Sequence, residues 1–316
     1  MVEGEAVRTA CSQDAAELQA LDAKINAILP PQYQHCYDDV QPVSMGSAGL
    51  KYRADGKVAW DEIWTSFCDL ALAGGPPHRG RLLEAVPPEE ALGEPEKYQQ
   101  VVEEIGRGIW LVTSLPVLPR IAPGWIGVRC HDETMAAWLV RAIVVENVIA
   151  RHEQNMLFLP AGPHFQLGKE IKNVVTTVAK TCHYWTCHMS VAQQASAGAV
   201  LNCPENAELL QPASPDEVRA APSEHQAVVQ VIEQGLQEAT GLQAVPSQYL
   251  GWVGVGCADV TMATWLMRAV IVDNILARRE ANVLYLPASP RFAVGDSRRV
   301  VESVARAWRL WKMQVP

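Results

Sequence analysis

Apolar and polar positions alternate along this chain in two rhythms. Residues 95–112 place Val101, Val102, Ile105 and Ile109 on one side, the spacing of an amphipathic helix. A proline-containing loop is expected over 116–123, then a short buried strand over 125–129. Asp132 can cap a helix reaching about Asn147, on which Met135, Leu139 and Ala142 recur at helical spacing. Residues 148–152 and 155–159 read as two strands joined by a tight turn. A final helix over 169–185 carries Ile171, Val174, Val178, Cys182 and Trp185 as its apolar stripe. The unit predicted is α-β-α-β-β-α.

The same pattern returns later in the chain. Trp125, Gly127, Val128 and Cys130 fall on Trp252, Gly254, Val255 and Cys257. Thr134, Met135, Ala136, Trp138, Leu139, Arg141 and Ala142 fall on Thr261, Met262, Ala263, Trp265, Leu266, Arg268 and Ala269. Roughly forty positions match without a gap over about ninety, which marks an internal repeat. One deletion before Val300 keeps the register, pairing Val174 with Val300 and Trp185 with Trp311. The expected fold is therefore α+β: an N-terminal α-rich region over 1–86, a first repeat over 87–185, a linker over 186–213 and a second repeat over 214–316. Each copy alone exposes an apolar sheet face, so the two are expected to form a pseudo-twofold pair. Within 1–86, helices are expected over 18–29 and 59–72, the second rich in tryptophan.

Composition narrows the function classes. The 316 residues are 49% hydrophobic and 19% charged, with a net charge of −9. An acidic chain without a basic run is a poor binder of nucleic acid or anionic membrane, so neither is expected as a partner. The N-terminus lacks the basic and apolar regions of a secretory signal, and no apolar run is long enough for a bilayer span. A cytoplasmic protein is expected, whose eight cysteines serve as thiols, ligands or catalytic groups rather than a disulfide frame.

Polar differences between the copies point to chemistry. His131 and Glu133 become Ala258 and Val260, Lys180 and His183 become Arg306 and Arg309, and Cys187 and His188 become Met313 and Gln314. This makes the first repeat the candidate active copy and the second a degenerate one. Cys130 lies between a strand and a helix N-terminus, where the dipole favours thiolate, and His131 and Glu133 could act as acid or base. Lys180 and His183 complete this catalytic set. On the last helix His183 and Cys187 stand at i, i+4 and could chelate a transition metal with His188 or Cys130. Four Cys–His neighbours, His35-Cys36, Cys130-His131, Cys182-His183 and Cys187-His188, reinforce thiol or metal chemistry. Gly75, His78 and Arg79 lie in a Gly-Pro-rich loop suited to a phosphate or carboxylate.

Three readings follow. One is a cytosolic enzyme of unspecified reaction class acting on a small anionic metabolite. The second is a metal- or cofactor-binding accessory protein. The third is a non-catalytic assembly subunit with a protein partner or a second copy of itself.

Overall fold

The computed structural model describes residues 2–28, 49–65, 81–201 and 208–314. Helix α1 (Val2–Ile28) is followed by α2 (Trp60–Thr65), α3 (Pro88–Gly93) and α4 (Pro95–Thr113). Then come β1 (Val117–Ala122), β2 (Trp125–Arg129), α5 (Glu133–Val145), β3 (Arg151–Glu153) and β4 (Met156–Pro160). A π-helical turn, Leu167–Ile171, leads into α6 (Lys172–His183), and a second π-helical turn, Tyr184–His188, ends it. Next are α7 (Val191–Leu201), α8 (Pro215–Ala220), α9 (Pro222–Thr240), β5 (Ala244–Val245) and β6 (Trp252–Gly256). The chain continues with α10 (Val260–Ile271), β7 (Arg278–Glu280), β8 (Val283–Pro287) and α11 (Val294–Gln314). Among the described residues no helix is long and apolar enough to cross a membrane.

The protein is α+β, with two antiparallel four-stranded sheets of order β1-β2-β4-β3 and β5-β6-β8-β7. In the first, β2 runs against β4 from Trp125↔Pro160 to Arg129↔Met156. In the second, β6 runs against β8 from Trp252↔Pro287 to Gly256↔Val283. One expectation is corrected here: residues 116–123 are not a loop, because Val117–Ala122 pair with β2. Pro119 is accommodated because β1 is an edge strand, where a missing backbone donor breaks no ladder. The expected linker likewise contains a helix, α7, which packs on α5.

The chain divides into two compact units. The first holds Gln32–Leu201 with Arg278–Glu280, and the second holds Met1–Pro31, Asn202–Ala277 and Ala281–Pro316. In the first, α5 is apolar around its circumference except for Arg141, and all its residues from Met135 to Val145 are buried. Such a helix is stable only inside a core. Asp132 caps it by accepting from Met135 N at 2.8 Å, as the sequence predicts. The β2–β4 sheet, α4 and α6 complete that core. In the second unit α10 takes the buried position, capped by Asp259 accepting from Met262 N at 2.7 Å. Asn147 and Asn274 follow these helices with φ of 59° and 57°. Asparagine tolerates that left-handed conformation better than most side chains.

Candidate functional site

The expected catalytic residues lie in three different environments. Cys130 leaves β2 and is 2% exposed. Its N–H donates to Asn155 O at 2.9 Å and its carbonyl accepts from Asn155 Nδ2 at 3.3 Å. Burial pushes the thiol up to about 12, with Cys182 and Asp132 adding to the shift. This corrects the thiolate expectation: desolvation outweighs the helix dipole. His131 and Glu133 are exposed at the start of α5. Lys180 is buried within α6, and its Nζ meets Glu146 Oε1 at 2.6 Å. The described residues therefore show no single Cys-His-Glu-Lys constellation. Gly75, His78 and Arg79 lie outside the described residues.

Glu146 escaped the sequence reading, though a signal for it exists. In the self-alignment Glu146 falls on Asp273 and Lys180 on Arg306, so acid and base are both kept while both side chains change. Arg306 is indeed ion-paired with Asp273, and Ser303 Oγ donates to the same carboxylate at 2.6 Å. The first pair is 3% and 0% exposed, the second 32% and 18%.

The histidines at the end of α6 do come together, though not in the expected combination. A regular helix would pair His183 with Cys187. Instead the chain widens to a π-turn at Tyr184–His188, closed by Met189 N donating to Tyr184 O at 3.1 Å. An i→i+5 ring advances the backbone by one extra residue per turn, so His188 rather than Cys187 comes beside His183. Their ring centres are 5.1 Å apart. Trp64 of α2 stands edge-on to His183 at 5.5 Å, and Tyr184 stacks on His188 at 5.9 Å. Tyr184 in turn stacks on the buried Trp138 at 6.0 Å. The imidazoles thus rest on an aromatic wall rooted in the core. Cys187 is exposed, with its sulfur 3.4 Å from Thr186 Oγ1.

Two imidazoles bound to one tetrahedral ion at about 2.0–2.1 Å have ring centres roughly 5 Å apart. The observed spacing therefore fits a bidentate clamp, and rotation about the broad χ2 of either histidine turns a nitrogen toward the shared space. Among the described residues no group of three or more His, Cys, Asp or Glu is gathered tightly enough to hold a metal ion. A metal here would take its remaining ligands from water or from a molecule it carries. In the second unit Arg309 aligns with His183, and it pairs with Glu17 and, at 3.6 Å, with Asp14. Helix α11 has no π-turn, running unbroken from Val294 to Gln314.

Compared with protein-family models, curated proteins and solved structures, the chain shows no significant match.

Proposed function

We propose that this protein is a transition-metal or metal-cofactor binding protein whose first half is the working copy and whose second half is a structural partner. The observation that carries the reading is the 5.1 Å approach of His183 and His188, produced by the π-turn between them. π-Turns within helices occur frequently at functional sites. Neutral imidazoles suit zinc, copper and nickel. The open coordination positions suit a carried ligand or a substrate polarised by the ion.

In this reading the halves are tandem copies that have diverged in their last helices. The two sheets of equivalent strand order and the matched caps Asp132 and Asp259 support common descent. Cys130, Cys182, Cys187 and Cys257 are free thiols, which fits a reducing cytoplasm. A Cys130 nucleophile is less well supported, because its thiol is buried and held protonated.

The test is metal titration of the full chain after chelator treatment, with Cu²⁺, Ni²⁺ and Zn²⁺ each competed against a chromophoric chelator. One equivalent should bind, and Trp64 fluorescence should be quenched by Cu²⁺. His183→Gln and His188→Gln should each weaken binding by about tenfold or more. His131→Gln should change nothing. Unaltered binding in the H183Q/H188Q double variant would overturn the proposal.

A further inference from the structure

The other π-turn points to a second site. Leu167–Ile171 lies where the first half carries one residue more than the second, between the matched prolines Pro163 and Pro290 and the matched valines Val174 and Val300. An inserted residue in a helix is absorbed as an i→i+5 turn, seen here as Ile171 N donating to Gln166 O at 3.3 Å. The second half, lacking that residue, enters α11 as regular helix.

This turn forms one wall of an open pocket of about 610 Å³. Its apolar surface comes from Val58, Val101, Phe165, Leu167 and Ile171. Lys57, Lys97, Gln100 and Glu104 supply its polar groups. The Glu104 charge is already answered: its carboxylate accepts from Arg107 at 2.6 Å and 2.8 Å and from Trp60 Nε1 at 2.8 Å. Lys97 reaches Glu94, an exposed pair of the kind that holds a lysine weakly. The pocket therefore offers an apolar floor beside two ammonium groups, with Glu104, the one carboxylate among its described lining residues, occupied. Its size lies within the range of small-molecule sites.

We infer that this pocket binds an amphipathic carboxylate, a monoanion with an apolar tail of about ten carbons that lies against Phe165 and Ile171 while its head meets Lys57 and Lys97. The π-turn sets the floor: without the inserted residue, Leu167 and Ile171 would rotate to other positions on the helix. The site is separate from His183 and His188 and needs no metal.

The experiment is calorimetric titration of the full chain with decanoate below its micelle concentration, and with decanol as the uncharged counterpart. Decanoate should bind one to one, and decanol at least about fivefold more weakly. K57Q/K97Q, a pair of surface changes that leave the core untouched, should weaken decanoate by a similar factor and leave metal binding by His183 and His188 intact. Deleting Gly168, which is exposed and has no described residue within 4 Å of where a Cβ would stand, should regularise the helix and abolish binding while the circular dichroism is retained. Equal binding of decanol and decanoate, decanoate binding unchanged in K57Q/K97Q, or no decanoate binding at all would each overturn the inference.

Discussion

Glu146 and Lys180 meet at 2.6 Å with side chains that are 0% and 3% exposed, while Glu146 Oε2 is buried without a hydrogen-bond partner among the described residues. A buried pair of this kind gains little over a well-packed apolar pair, but removing one partner strands the other's charge at a cost of about 3–5 kcal/mol. Lys180→Met and Glu146→Leu should each lower stability by about that amount, and the double variant should recover most of the loss. Urea unfolding followed by tryptophan fluorescence reads both effects. Asp273→Asn, in the more exposed counterpart, should cost about 1 kcal/mol. A double variant as unstable as the sum of the singles would show that the pair does not act as a unit.

Thiol reactivity separates the cysteines. Burial pushes Cys130 and Cys182 up to about 12 and Cys257 up to about 11, whereas Cys187 is exposed. The thiolate is the reactive species, so a short iodoacetamide pulse on native protein at about pH 8 should label Cys187 and spare Cys130, Cys182 and Cys257. Peptide mapping by mass spectrometry assigns each site. Rapid labelling of Cys130 would revive it as a nucleophile.

His152 gives the first unit a pH-dependent component of stability. Desolvation lowers its pKa below the usual 6.5, and Arg141 adds to the lowering. The carbonyl of Gln154 at 3.3 Å and the charges of Glu133 and Glu153 partly oppose it. The folded state thus binds the proton less readily than the unfolded state. Its contribution is fully present above about pH 6.5 and is lost as pH falls through that value toward the lowered one. His152→Gln should have a flatter decline of Tm between about pH 7.5 and 5.5 than the parent chain. Parallel declines would remove His152 from the acid sensitivity.

Much of this architecture was legible in the hydrophobic rhythm. Helix α4 and the strand through Ile126 and Val128 lie where the spacing placed them, and so does the Asp132 cap, because each rests on a local pattern. Strand β1 was hidden by Pro119 and Pro123, which read as a loop unless the strand is known to be an edge. His183 and His188 were both in the expected metal set, but a constant helical pitch put Cys187 rather than His188 beside His183. The extra residue behind the other π-turn was visible as an offset in the self-alignment, but an offset does not say whether it becomes a loop, a bulge or a π-turn. Glu146 directly follows an apolar helix, and its partner lies 34 positions away, so it was legible mainly through the paired change to Asp273 and Arg306.

Two glycines test the local geometry of the matched turns. Gly124 has φ of +83°, and a Cβ there would stand 2.4 Å from Val86 O. Gly251 has φ of +80°, and its Cβ would meet Ala213 O at 2.3 Å. Pro123-Gly124, between the paired residues Ala122 and Trp125, follows the type II turn pattern, which requires positive φ at its second central residue. Alanine at either site faces both the left-handed penalty and a backbone oxygen that cannot move aside without disturbing its own segment. Gly56 separates the two effects, since its φ is +79° but no described residue lies within 4 Å of its Cβ position. Gly56→Ala should cost about 1–2 kcal/mol from conformation alone. Gly124→Ala and Gly251→Ala should each exceed it by at least about 1 kcal/mol, because the contact is added to the same backbone strain. If G124A and G56A unfold at the same urea concentration, Val86 does not approach Gly124 as described.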